Sequence, residues 1–130
     1  MQPIKNIELE ACAATLQSLI QARAPVDLIA LAARFPLDEM VHVELCARLA
    51  MEFGGAVEIF HEPENLVAKV TTEVEPFLRA AHQIVAFFCV GEALSIPLLH
   101  QTGKAATHPL TKSVIQRIVL DEADHGTFGW

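Results

Sequence analysis

Apolar positions recur along most of the chain every three or four residues, which is the spacing that places them on one face of a helix. Glycine and proline interrupt this pattern, chiefly at Pro25, at Gly54-Gly55 and after Gln101. Between the interruptions the pattern predicts four helices, over about residues 4–23, 26–53, 75–100 and 110–130. The sequence therefore predicts an all-α fold.

Two prolines lie within the predicted helices. Pro36 lies in the second helix, three residues before Glu39, and Pro97 lies near the end of the third. A proline inside a helix removes a backbone hydrogen bond and clashes with the preceding turn. We expect Pro36 to kink one continuous helix, with a break into two shorter helices as the alternative. Pro97 should bend or end the third helix, leaving residues 101–109 as a loop.

The lengths of the connections predict how the helices are arranged. Residues 55–72 carry glycine, proline, asparagine and mixed charge, and we expect them to connect helices two and three. This segment is long enough to travel the length of a bundle, whereas the other connections are short, as antiparallel neighbours require. Residues 1–130 are therefore predicted to form a single four-helix-bundle domain with one long crossover connection between helices two and three.

One six-residue pattern, Leu-Asp-Glu-x-x-His, occurs twice, at residues 37–42 and 120–125. Residues three apart lie on one helix face with Cβ atoms about 5–6 Å apart, so each copy aims a carboxylate and an imidazole at one point. A third Glu-x-x-His, at residues 58–61, lacks the Leu-Asp prefix, and we attribute it to chance. In four-helix bundles, two such helices and one further Glu from each other helix hold two iron or manganese ions.

The two remaining helices should therefore each supply one inward-facing glutamate. In helix three, Glu92 stands among apolar residues, where a carboxylate is costly unless it is paired or coordinated. In helix one, Glu8 and Glu10 both lie at a suitable height. Glu8 is preferred because Glu10 is in line with a more polar stripe of residues.

Asp38 and Asp121 precede the glutamates of the two patterns. A metal-bound histidine normally donates its second ring N–H to a carboxylate or carbonyl, which fixes its tautomer and orientation. We expect each aspartate to serve the histidine of the opposite helix.

With these motifs the chain resembles the ferritin-like di-iron carboxylate superfamily, and most of all small bacterial ferritin-like domain proteins near the rubrerythrin and di-iron oxygenase branches. The resemblance rests on Asp-Glu-Met-Val-His, Cys-Val-Gly-Glu and Asp-Glu-Ala-Asp-His, covers most of the chain and is weakest in helix one. It implies a ferritin-like fold and two carboxylate-bridged iron ions, with manganese or a mixed pair as alternatives. The ligands that it implies are Glu8, Glu39, His42, Glu92, Glu122 and His125.

The chain also departs from this family. Ser95 stands where rubrerythrins carry an additional glutamate. The absence of tyrosine from the sequence excludes a tyrosyl-radical role of the ribonucleotide-reductase type.

Composition and charge indicate which partners and which location to expect for the protein. The net charge of −7 provides no basic stripe to neutralise phosphates, which argues against nucleic acid. No signal peptide is visible, and the apolar stretch 84–99, interrupted by Glu92 and Pro97, is judged too short to span a bilayer. Three cysteines without a C-x-x-C are typical of reduced thiols, so we expect a cytoplasmic protein.

Three functions are consistent with these features. The leading hypothesis is a di-iron oxidoreductase that activates O₂ or peroxide, with a small organic substrate as one option. The second is iron handling with ferroxidase turnover and no organic substrate, and a pocket that reaches the metals would separate these two. The third is a metal-free helical interaction domain. Because helix four is short beyond Glu122, we also expect a homodimer or a longer natural chain.

Overall fold

The helical prediction is confirmed for the part of the chain that the structure describes. In the computed structural model this part is residues 2–55 and 73–130, with side chains from residue 8 onward. No β-strand occurs within these ranges. The helices are α1 (Gln2–Gln21), α2 (Val26–Ala32), α3 (Phe35–Glu52), α4 (Pro76–Ala105) and α5 (Pro109–Phe128).

The four long helices pack in a way that is compatible with a four-helix bundle. α1 packs along α3 and against the first part of α4, α4 packs along α5, and α3 contacts α5. The two helices that carry the repeated pattern are therefore neighbours. The predicted crossover connection, residues 55–72, lies outside the described residues except for Gly55, and the third Glu-x-x-His lies wholly outside them.

The prediction of one kinked helix over residues 26–53 is wrong, and the break is what the structure has. α2 ends at Ala32 and α3 begins at Phe35. Pro36 lies in the first turn of α3, where its missing N–H would have no partner inside the helix. The proline therefore starts a helix instead of bending one, and Glu39 lies one turn inside it.

α4 differs from its prediction in two respects. It continues through Pro97 to Ala105, so the predicted loop is shorter than residues 101–109. Pro97 is exposed, and water can solvate the carbonyl group that the proline leaves without a donor.

The segment Ile84–Gly91 is π-helical, which the sequence did not predict. Such segments close i→i+5 hydrogen bonds and are frequent at functional sites.

Two buried apolar clusters enclose the middle of the bundle. Along α3, Phe35 belongs to one cluster and Cys46 to the other, with Glu39 and His42 between them. The first cluster consists of Cys12, Leu19, Ala32, Phe35, Ala80 and Phe88. The second consists of Cys46, Leu49, Leu99, Val114, Ile115 and Ile118. Residues between the clusters are thus shielded from water on both sides.

By length and composition, α4 is able to cross a membrane: it has 30 residues and a mean hydropathy of 1.5 in its most apolar window. The sequence predicts that the apolar stretch 84–99 is too short to span a bilayer. The helix that contains this stretch is longer, at 30 residues. A core helix of a soluble protein passes the same test. The cytoplasmic location therefore stays a prediction.

Apolar surface is uncovered where α4 extends past the end of α5. Phe128, at the end of α5, packs beside Phe88, whereas α4 begins twelve residues earlier, at Pro76. In that region Phe77 and Leu78 are 65% and 58% exposed. They lie near a groove of about 430 Å³ between α1, α2 and α4, which Phe77 lines. Large exposed apolar patches usually mark an interface.

We predict that the protein forms a symmetric homodimer, the commonest soluble oligomer. Sedimentation at low micromolar concentration should give twice the chain mass of 14.2 kDa. A Phe77→Glu, Leu78→Glu double variant should shift the protein towards monomer, because burying charge in an apolar interface is costly. Met51→Glu, at an exposed position on α3, is the control. A wild-type monomer at every concentration would contradict the prediction.

Candidate metal centre

The two copies of the repeated pattern meet in the interior. Glu39 and His42 of α3 and Glu122 and His125 of α5 are each 0% exposed. Each glutamate lies three residues before its histidine, so helical geometry directs both side chains to the same side. Contact between α3 and α5 then brings the two pairs together.

The four side chains form an arrangement with approximate two-fold symmetry. His42 Nδ1 lies 3.3 Å from Glu39 Oε2 and 3.5 Å from Glu122 Oε1. His125 Nδ1 lies 3.0 Å from Glu122 Oε2 and 3.2 Å from Glu39 Oε1. Each carboxylate thus presents one oxygen to each imidazole, as a carboxylate that bridges two metal ions would.

These distances fit a pair of divalent ions. Two ligand atoms about 2.1 Å from one ion and at right angles to each other are about 3.0 Å apart. Ligand atoms of Glu39, His42 and Glu122 lie within 4.8 Å of one another, and so do those of Glu92, Glu122 and His125. Glu122 belongs to both groups, so the two positions are adjacent.

Glu92 joins the centre from α4, directly after the π-helical segment. It is 7% exposed, and Ser95 Oγ donates a hydrogen bond of 2.6 Å to its Oε2. In the sequence Ser95 appears as a departure from the rubrerythrin pattern, and in the structure it orients a predicted ligand.

Gly126 lets α4 and α5 approach at the level of the centre, and its role was not predicted. A Cβ atom at this position would lie 2.7 Å from Ile96 Cδ1 and 3.9 Å from Glu92 Cβ. The sequence signal for it is a glycine inside a helix, immediately after His125.

The helix-one ligand stays a prediction. Neither group of mutually close ligand atoms among the described residues includes Glu8 or Glu10. Glu8 is half-buried on α1 and lines a cavity together with Glu92. Glu8 and one residue of the centre therefore border the same cavity.

Each aspartate of the repeated pattern faces the histidine of the other helix. His42 Nε2 lies 3.1 Å from Asp121 Oδ2, and His125 Nε2 lies 3.5 Å from Asp38 Oδ2. The sequence predicts this crosswise pairing. An aspartate that accepts the Nε2 proton leaves Nδ1 as the ring nitrogen that a metal ion would bind in place of a proton. Arg117 in turn contacts Asp121 at 3.0 Å.

The charges of the centre shift the pKa of nearby groups. Burial alone would lower the pKa of His125, but the carboxylates of Glu122 and Glu39 beside its Nδ1 outweigh burial and raise the pKa to about 10. Burial raises the pKa of the Cys12 thiol far above its ordinary value, and the negative charge of Glu39 adds to the effect. Cys12 is therefore a neutral thiol in the metal-free protein.

Phe35 holds the His125 ring in place. The two ring centroids are 4.4 Å apart, and Phe35 also packs against Phe88 and Phe128 at 5.3 Å and 4.9 Å. The phenyl ring is 1% exposed. One face of the centre is therefore closed by aromatic side chains, which exclude water from His125.

Comparison of the chain with protein-family models, with curated proteins and with solved structures finds no match.

Proposed function

We propose that the protein binds two iron ions at this centre and acts as a di-iron carboxylate oxidoreductase that activates O₂ or peroxide. The observation that supports this most is the placement of Glu39 and Glu122, each with one oxygen beside the Nδ1 atom of both histidines. Carboxylate and imidazole ligands arranged in this way in a helical bundle are those of dinuclear iron and manganese sites.

The energetic cost of the centre favours bound metal. Glu39, Glu92 and Glu122 lie within the fold at 7% exposure or less, and collecting three carboxylates in a buried site is costly. Protonation of His125 offsets part of this negative charge. Apolar side chains of similar volume would give a more stable bundle. Two divalent cations neutralise the remaining charge, which a metal-free interaction domain would have no reason to carry.

Each side chain has a defined part in the proposed centre. His42 and His125 would bind through Nδ1, Glu39 and Glu122 would bridge, and Glu92 and Glu8 would complete the ligand set. Asp121 would accept the Nε2 proton of His42, and Asp38, 3.5 Å from His125 Nε2, is placed to do the same for His125. The two apolar clusters exclude water. The iron ions supply the redox and Lewis-acid chemistry that these side chains lack.

The experiment is metal loading of protein made without chelator. Anaerobic addition of Fe²⁺ should load two ions per chain, measured by elemental analysis. Mössbauer spectroscopy should show an exchange-coupled pair after exposure to O₂, and X-ray absorption should place the ions about 3.5–4 Å apart. Manganese or a mixed pair would appear in the same elemental analysis.

A matched control is available in His100, an exposed histidine of α4 outside the repeated pattern. The His100→Ala variant should load the same amount of iron as the wild type. A wild-type protein that takes up one ion or none, or that binds iron which O₂ and peroxide leave ferrous, would overturn the proposal.

A further inference from the structure

A cavity of about 200 Å³ lies between α1 and α4, beside the proposed metal centre. Glu8 and Glu92 line it, so it borders a residue of the proposed centre. The rest of its wall is uncharged and consists of Ala11, Cys12, Phe87, Phe88 and Gly91. A route for hydrated Fe²⁺ would be expected to carry polar or acidic side chains along its length. In this cavity only two of the seven lining residues are acidic, and the others are mostly apolar.

Neither the backbone conformation nor the packing requires a glycine at position 91. Its φ of −57° and ψ of −53° are those of an ordinary right-handed helix. Among the described residues, a Cβ atom at this position would meet only Ala86 O, at an ordinary contact distance of 3.5 Å. Glycine inside a helix destabilises it relative to alanine. What a side chain at this position would remove is space beside the cavity.

Gly126 and Gly129 differ from Gly91, because a side chain at either of these positions would clash with neighbouring atoms. At each of them a Cβ atom would come within 3.0 Å of other atoms, of Ile96 in one case and of Cys89 in the other. Packing explains these two glycines, and packing does not explain Gly91. A glycine in a helix is also the residue that allows a ligand to approach the backbone closely.

We propose that this cavity is the binding pocket for an organic substrate of the centre, and that it takes a small, uncharged, largely apolar molecule about the size of one aromatic ring. The size follows from volume, because an apolar cavity of about 150 Å³ in another protein binds benzene. The carboxylates of Glu8 and Glu92 disfavour anions, and the apolar wall disfavours strongly hydrated groups. This inference rests on the proposed function and favours an organic substrate over iron handling alone.

The test uses the metal-free full-length chain, with toluene as the probe and benzoate as a charged probe of similar size. Toluene should cause saturable shifts of backbone amide NMR signals of Ala11, Phe88 and Gly91, and benzoate should cause none there. Gly91→Leu, which fills space from α4, should weaken toluene binding at least tenfold. Ala11→Leu tests the opposite wall in the same way.

Three controls keep the outcomes distinct. Gly91→Ala should raise the thermal midpoint slightly and keep most of the binding, which shows that the helix tolerates a side chain at this position. Val90→Leu, at a neighbouring position that is 54% exposed, should bind toluene as the wild type does. Each variant is also loaded with Fe²⁺, because a filled pocket with intact metal loading separates this inference from the proposed function.

Toluene binding that is unchanged in both Gly91→Leu and Ala11→Leu would overturn the proposal that this cavity is the binding pocket. So would shifts confined to the groove between α1, α2 and α4. Binding of benzoate in preference to toluene would overturn the chemical class of the ligand.

Discussion

Replacing His42 or His125 with alanine is expected to abolish tight iron binding and to leave the helix content of the protein largely unchanged. Each imidazole is the one nitrogen ligand in its group of close ligand atoms. Loss of a residue that only orients a ligand costs about 10–100-fold in metal affinity. Loss of the ligand itself should therefore cost more than about 100-fold.

The helices should survive because apolar packing holds them together. Phe35 and Phe88 on one side of the centre and Ile115 and Ile118 on the other are at most 2% exposed. This differs from a zinc finger, in which metal binding supplies the folding free energy. In the metal-free His125→Ala variant the carboxylates of Glu39 and Glu122 lose a protonated neighbour.

Circular dichroism and elemental analysis test both parts of this prediction. His125→Gln is the milder variant, because it keeps a polar side chain of similar length beside Phe35. His82→Ala, at an exposed position on α4, is the control and should change neither measurement. Global unfolding of both His125→Ala and His125→Gln would show that the centre is needed to hold the fold together.

Replacing Asp121 with asparagine should weaken iron binding by about 10–100-fold without removing a ligand. The asparagine keeps the volume of the aspartate but loses the charge that holds the proton on His42 Nε2. Asp38→Asn should have a smaller effect, since Asp38 lies 3.5 Å from His125 Nε2 whereas Asp121 lies 3.1 Å from His42 Nε2. A chelator-competition titration with Fe²⁺ measures both affinities.

Asp124 provides the matched control for these variants. It lies on α5 near the pattern, and its side chain is 62% exposed and 3.9 Å from Arg34. Asp124→Asn should leave the affinity unchanged, because an exposed ion pair at that distance contributes little. Equal losses in all three variants would show that overall negative charge, and not orientation of the histidines, determines affinity.

The features that the sequence predicted well are those that depend on local spacing. A Glu and a His three residues apart share a helix face whatever surrounds them, so the pairs Glu39 and His42, and Glu122 and His125, are predictable from the sequence. The crosswise aspartates were predictable for a similar reason, because the histidine N–H needs an acceptor and both patterns offer one.

Features that depend on contact between helices were not predictable in this way. The hydrogen-bond pattern of Ile84–Gly91 and the approach of Gly126 to Glu92 are set by packing of α4 against α1 and α5. The break at Pro36 was given as the alternative, since a proline is compatible with both a kink and a new helix start. The position of the helix-one ligand depends on how α1 rotates about its axis, which periodicity defines only roughly.

The π-helical segment also has an evolutionary consequence. Each i→i+5 turn takes up about one residue more than an α-turn, so a single inserted codon is enough to produce such a segment. An ordinary α-helix of the same length over this segment would turn Glu92 by about 100° relative to the start of α4, and deleting one residue between 84 and 91 would turn it back towards the centre. An alignment of this chain with an uninterrupted bundle helix therefore needs a one-residue gap in this segment. Without that gap, Glu92 would be matched to the wrong column, and a shared carboxylate would look like a substitution.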